Sequence, residues 1–240
     1  MRTNSTKFKI MLIVLMTSIS STAMSATYFA CAGAALSLTA GLPTGTTANW
    51  DIKKDGTQFG NPSPTAPTSF ADPGTYEITL VSLTTPGSGL CPSEPETNTI
   101  IILPPLALTL TAPTNAAYCA ANGNANSSDI AVTGATLPTS AGNNLELEYS
   151  YSVAATVGGT TTTVAGSTVG TIDQATGKFT LNTTAPGTYV ITGTVKYKQA
   201  ASNTTSPLLG TTGCAATGAA PQTITVTPKP VKPTITIAAG

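Results

Sequence analysis

The chain is 240 residues long, with ten basic and ten acidic side chains, and charged residues make up only 8% of it. Histidine is absent, which removes the commonest general base, the usual hydrolase triads and most transition-metal sites. So sparse and balanced a charge cannot neutralise a phosphate backbone, which excludes a nucleic-acid partner.

Residues 1–26 read as a secretory signal peptide. Arg2, Lys7 and Lys9 make a basic start, residues 10–16 are an apolar run, and small residues follow at Ala23, Ser25 and Ala26. The apolar core is too short to span a membrane as a permanent helix, and no later stretch is long and apolar enough to do so. The expected location is therefore extracellular or on the outer surface of a bacterial cell. Removing this segment takes three basic residues and no acidic ones, which leaves a faintly acidic mature surface. Ala30 before Cys31 also suits a lipoprotein signal, but Tyr28 and Phe29 are wrong for its flank and Cys31 lies well past the apolar run.

The rest of the chain predicts an all-β fold. Threonine contributes 48 residues, and its branched Cβ suits pleated, half-exposed strands. The 22 glycines and 18 prolines leave no room for a long helix. In chain order, residues 35–39 alternate Leu36 and Leu38 inward, and residues 48–52 place Trp50 in the core beside Ile52. A turn is expected at Lys54-Asp55-Gly56, a proline-broken loop over 61–68, a strand over 75–80, a turn over 86–89 and a closing strand over 99–103. Pro104-Pro105 then forms a semi-rigid joint. Beyond it, strands are expected from residue 106 (Leu106, Leu108 and Leu110 inward) and over 129–133, 145–153, 170–173, 178–181, 188–197 and 222–227. Residues 118–128 and 200–220 look like long surface loops. The best alternation is Leu145, Leu147, Tyr149 and Tyr151 against Glu146, Glu148, Ser150 and Ser152.

An internal repeat organises these elements. Pro73-Gly74-Thr75-Tyr76-Glu77-Ile78-Thr79 recurs as Pro186-Gly187-Thr188-Tyr189-Val190-Ile191-Thr192, each a turn feeding an alternating strand. Tyr76 and Tyr189 fall on the inward faces. The cysteines keep register with the motif: Cys31 and Cys119 precede it, and Cys91 and Cys214 follow it. Four cysteines permit three pairings. The simplest joins Cys31 to Cys91 and Cys119 to Cys214, one bridge in each repeat. The expected organisation is a first sandwich over 27–104, a second over 105–228, and a linker with the first strand of a possible third repeat over 229–240, continuing past residue 240 in the natural gene.

A cysteine near an opening strand, then Pro-Gly-Thr-Tyr-x-Ile-Thr, a second cysteine and a closing strand resembles the PKD-like and bacterial immunoglobulin-like repeats of Bacteroidetes-type surface proteins. Asp72-x-Gly74-x-Tyr76 also resembles the tyrosine corner of immunoglobulin folds, whose hydroxyl bonds back to the backbone. The second repeat has Ala185 in place of Asp72, so there only Tyr189 carries over. Residues 170–180 resemble a stretch common in bacterial immunoglobulin-like repeats. Of the Trp-Asp-Phe-Gly-Asp-Gly run frequent in PKD domains, only Trp50-Asp51 is present. The resemblance implies tandem immunoglobulin-like (PKD-like) β-sandwiches.

Chemistry-bearing constellations are scarce, and no catalytic, cofactor-binding or metal-ligating residue is assigned. Glu146 and Glu148 sit on a solvent face, and Glu94 and Glu96 in a broken loop, so neither pair suits glycosidase work. Asp51, Asp55 and Asp72 could approach one another but match no calcium loop. Asn126, Asn182 and Asn203 begin glycosylation-type triplets, which a threonine-rich chain produces by chance. The sequence therefore reads as a non-enzymatic surface or secreted protein, structural or adhesive, built of spacer modules, whose partner would be a surface glycan or protein. The alternative is a carbohydrate-binding or accessory module of a secreted hydrolase. Against it, Tyr28, Phe59 and Tyr118 are the only aromatics off the predicted core faces.

Overall fold

The computed structural model of the chain describes residues 25–87, 89, 91–120, 126–210 and 214–237. Apart from Ser25 and Ala26, the expected signal segment lies outside the described residues. The fold is all-β. In chain order the strands are β1 (Thr27–Cys31), β2 (Thr46–Lys54), β3 (Thr57–Gln58), β4 (Gly74–Thr84), β5 (Glu96–Leu103), β6 (Thr109–Leu110), β7 (Ala117–Cys119), β8 (Ser128–Ile130) and β9 (Val132–Thr133). There follow β10 (Leu145–Val157), β11 (Thr160–Ala165), β12 (Gly170–Ile172), β13 (Phe179–Leu181), β14 (Gly187–Gln199), β15 (Leu208–Leu209), β16 (Ala215–Thr217) and β17 (Gln222–Thr227). Among the described residues, no helix is long and apolar enough to cross a membrane.

Two large sheets share one strand order. The N-terminal sheet runs β15-β1-β5-β4-β2-β3 and the C-terminal sheet β11-β10-β14-β17-β7, with β16 paired to β14. In each, a central antiparallel trio is closed at one edge by a short strand parallel to the last: β1 on β5 and β7 on β17. Tyr76 lies opposite Ile100, and Tyr189 opposite Ile224. The two Pro-Gly-Thr-Tyr motifs therefore occupy equivalent places. A central trio with a parallel edge strand, faced by a smaller layer, is the arrangement of an immunoglobulin-like sandwich.

The facing layers differ. Over the C-terminal sheet lie β12-β13-β8 and β6-β9, and between them Tyr151, Phe179, Leu181, Tyr189, Ile191 and Ile224 are buried. Over the N-terminal sheet the expected strand at 35–39 is absent. An irregular extended segment takes its place, tied by Leu36 N–H donating to the Thr68 carbonyl (2.7 Å) and Gly33 N–H to that of Phe70 (2.8 Å). The prolines at 62, 64 and 67 prevent residues 61–68 from offering a continuous ladder, so no regular strand can form against them. Trp50, Tyr76, Phe70, Ile78 and Ile100 fill the core beneath.

Turn chemistry explains the hairpins. Asp55 and Gly56 take φ of 51° and 79° between β2 and β3, and Gly158-Gly159 take 58° and 82° between β10 and β11. Positive φ at both central residues matches the twist of the flanking strands.

Candidate functional site

Both tyrosine corners form. The Tyr76 hydroxyl donates to the Asp72 carbonyl (3.0 Å) and that of Tyr189 to the Ala185 carbonyl (2.7 Å). The bond needs only a backbone acceptor, so replacing Asp72 by Ala185 does not disturb it. Trp50 is 7% exposed in the N-terminal core. Tyr118, expected off the core, is instead buried, and its hydroxyl donates to the Thr183 carbonyl (2.8 Å); burial pushes its pKa up to about 12.

The expected disulfides are corrected. Cys31 pairs with Cys214, with Cα atoms 5.3 Å apart, while Cys91 and Cys119 are free. The parallel edge strands are the reason. Cys31 lies opposite Leu103, the last residue of β5, whereas Cys91 precedes Glu96, the first. The eight residues of β5 span roughly 26 Å, far beyond the ~7 Å between Cα atoms that a disulfide tolerates. Cys119 likewise faces Thr227, the last residue of β17, whereas Cys214 lies by Tyr197 on β14, beyond Ile191, which faces the first residue of β17.

The Cys31–Cys214 bridge anchors a junction between the two sheets. Phe29, Leu103, Leu145 and Tyr197 are buried around it in a cluster of their own. The Tyr197 hydroxyl donates to the Pro104 carbonyl (3.1 Å), which ties β14 to the joint. Part of the expected 200–220 loop is not a loose loop: β15 adds to the N-terminal sheet, parallel to β1, with Phe29 opposite Leu208. Phe29 N–H donates to the Pro207 carbonyl (2.9 Å). Asn203 shapes this clasp. Its Oδ1 accepts from the amides of Thr205 (3.2 Å) and Ser206 (2.9 Å), and its Nδ2 donates to the Asn144 carbonyl (3.2 Å). A glycan-acceptor role for Asn203 is incompatible with a side chain so placed. Asn182 is exposed and Asn126 half-buried.

Two grooves remain. One, of about 570 Å³, lies by Leu137, Tyr149, Gln174 and Lys198 and is rimmed by Glu146 and Glu148. Those carboxylates are engaged across the strands, Glu148 with Lys196 (2.6 Å) and Glu146 with Lys198 (2.9 Å). The Lys196 hydrogen bond holds the Glu148 carboxyl below its ordinary pKa. The other, of about 320 Å³, lies on the N-terminal sheet between Ser37, Leu38, Thr39, Trp50, Ile78 and Leu80. The three aspartates considered for calcium are drawn to separate partners: Asp51 to Gln58 Nε2 (2.6 Å), Asp55 to the Thr75 amide (2.9 Å), and Asp72 to Lys54 (3.7 Å). Glu94 and Glu96 are exposed.

In sequence the chain matches no protein family and no curated protein. Among solved structures it is similar to three N-terminal domains of the highly immunogenic outer capsid protein (Hoc) of bacteriophage RB49, at 11% identity and a TM-score of 0.48, over 85% of this chain and 67% of that one. It is also similar to the FN1-FN3 domains of chicken CNTN1, at 10% identity and a TM-score of 0.34, over 74% of this chain and 60% of that one. A third is SGBP-B of the Bacteroides ovatus mixed-linkage glucan utilization locus, solved with a heptasaccharide, at 16% identity and a TM-score of 0.25, over 85% of this chain and 66% of that one. At these identities the likeness is one of architecture.

Proposed function

We propose that the chain is an exported, non-enzymatic structural protein of a bacterial surface, composed of two immunoglobulin-like modules over residues 27–104 and 105–228, with a linker and the first strand of a possible third repeat over 229–240. Its role is that of a stiff spacer that presents loops and strand edges to a surface glycan or protein. The observation that carries this reading is the junction. A disulfide between the two sheets, a buried apolar cluster and a shared strand together resist bending. Burial of Phe29, Leu103 and Leu145 contributes about 1.5–3 kcal/mol each, which a flexible tether would forgo. The non-enzymatic reading is supported by the absence of histidine, the commonest general base, and by the engagement of Glu146 and Glu148 with Lys198 and Lys196 beside the larger groove.

Small-angle scattering of the purified mature protein tests the spacer role. The curve should match one rigid particle with the shape of the structure. A profile that requires an ensemble of inter-module angles would refute it.

A further inference from the structure

The four cysteines occupy two kinds of site, each represented once in each sheet. Cys31 faces the last residue of β5 and Cys119 the last residue of β17, and Ala32 and Ala120, the next residues, donate to the carbonyls of Leu103 and Thr227. Cys91 and Cys214 form the second kind. Ser93, two residues past Cys91, bonds Ser82 in both directions across β4. Ala216, two residues past Cys214, faces Val195 across β14. Ser82 and Val195 are equivalent, since each lies six residues beyond its motif tyrosine. The bridge in the structure therefore joins a first-kind site of one module to a second-kind site of the next. One site of each kind is left over: Cys119 on the C-terminal module and Cys91, exposed, on the N-terminal one.

A second asymmetry points the same way. In the C-terminal module the chain leaving Pro104-Pro105 lays Leu108 and Leu110, 5% and 4% exposed, over Gly193, where an added Cβ would stand 2.9 Å from Leu110 Cδ2. This strand, β6, pairs with β9. The position equivalent to Gly193 in the N-terminal module is Leu80, four residues past Tyr76, and Leu80 lines the 320 Å³ groove. Residues 37–41, which follow Leu36 as β9 follows β8, form the groove's other wall. Among the described residues no hydrogen bond reaches their backbone. An extended segment with free amides beside an apolar groove is a template for an added strand. The matching strand lies at the other end of the chain. Beyond Pro228-Lys229-Pro230, a linker one residue longer than Pro104-Pro105, the run Val231-Lys232-Pro233-Thr234-Ile235-Thr236-Ile237 alternates one apolar face into solvent. Val231, Ile235 and Ile237 are 93%, 85% and 90% exposed.

We propose that copies of this chain join head to tail: residues 231–237 of one copy complete the N-terminal groove of the next, and a Cys119–Cys91 disulfide locks the joint as Cys31–Cys214 locks the internal one. With the linker counted, Ile235 takes the place of Leu110 and Pro233 that of Leu108; both leucines approach Gly193, an added Cβ standing 2.9 Å from Leu110 and 3.4 Å from Leu108, so Ile235 and the smaller Pro233 together meet Leu80. The contact is heterologous and does not close on itself, so it propagates. One departure is built in. Seven residue positions separate Thr84 from Cys91, where seventeen separate Tyr197 from Cys214; the copy-to-copy joint therefore lacks a counterpart of β15 and rests on the strand and the bridge. In forming the bridge the two thiols lose two protons and two electrons to a disulfide oxidant such as oxidised glutathione, which is reduced to two thiols by exchange.

This inference rests on the modular reading above, and the two fail differently: a rigid monomer that does not assemble would overturn only the head-to-tail joint. The test incubates the mature protein with oxidised glutathione and follows it by non-reducing electrophoresis and peptide mapping. A ladder joined by Cys119–Cys91 peptides is expected. Cys91→Ser alone and Cys119→Ser alone should each stay monomeric, and their mixture should stop at a dimer. Ile235→Asp, at an exposed position that leaves the fold intact, should weaken non-covalent association about tenfold, the effect of ~1.4 kcal/mol. A peptide of residues 230–237 should compete with assembly. Self-dimerisation of either single-cysteine variant, a ladder insensitive to Ile235→Asp and to the peptide, or no ladder at all would overturn the proposal.

Discussion

Replacing Asn203 with alanine should open the clasp without touching either module core. The wild-type side chain satisfies the amides of Thr205 and Ser206 and the carbonyl of Asn144 in a position only 7% exposed. The Asn144 carbonyl keeps a second donor, the Ala200 amide at 2.9 Å, so its loss is small. The two amides keep no other partner in the clasp. Thr205 is exposed and its amide can turn to water, so the cost falls on the half-buried Ser206 amide; a buried donor left unsatisfied costs about 1–3 kcal/mol. Residues 203–206 should then relax and withdraw Pro207 and Leu208 from β1. Hydrogen exchange reads this directly, because the Phe29 amide is bonded to the Pro207 carbonyl. Its exchange should accelerate by one to two orders of magnitude, at about 1.4 kcal/mol per tenfold, while the amides between β10 and β14 are unchanged. Unaltered protection at Phe29 would refute the view that Asn203 holds the clasp.

Other expectations follow from the same geometry. Replacing Cys31 and Cys214 together by alanine removes a link across 183 residues, worth up to about 5 kcal/mol in the chain-entropy account; urea midpoints should fall and lose their sensitivity to reductant, and an unchanged midpoint would contradict it. Trp50→Ala should cost about 3–5 kcal/mol through the cavity it leaves, and the wild-type emission should be blue-shifted relative to free indole. Acid should destabilise the C-terminal module. Asp129 is held below its ordinary pKa chiefly by the Thr180 hydroxyl (2.6 Å) and then by Lys178, and Glu148 chiefly by Lys196. The folded state therefore binds fewer protons than the unfolded one, and the stability from these groups is present above the unfolded carboxylate pKa and lost as pH falls through the folded one. Asp129→Asn should flatten that acid limb, and a slope identical to wild type would show that Asp129 plays no part in it.

Much of this architecture was legible in the sequence. The paired Pro-Gly-Thr-Tyr turns locate β4 and β14, and the alternation at 145–153 locates β10, because one buried face imposes a period of two. Local patterns also located the Asp55-Gly56 turn, the tyrosines at 76 and 189, and Trp50. What escaped were features set by how distant strands run relative to one another. Cysteine spacing in sequence carries no information on strand direction, and it is the parallel pairing of β1 with β5 that puts Cys31 and Cys91 at opposite ends of the sheet. Leu208-Leu209 is too short for any periodic signal and becomes a strand only because Asn203 and Gln199 fold the segment onto β1. Tyr118, in a segment of Ala, Asn and Ser, was hidden in the same way: its burial comes from docking on β17, not from a local apolar pattern.

The claim that the two modules form one stapled unit is tested most directly by mapping the disulfides. Non-reducing digestion of the mature monomer followed by mass spectrometry should yield a linked peptide pair containing Cys31 and Cys214, with Cys91 and Cys119 open to alkylation. Recovery of Cys31–Cys91 and Cys119–Cys214 peptides instead would contradict the parallel edge strands, the junction and the spacer role together.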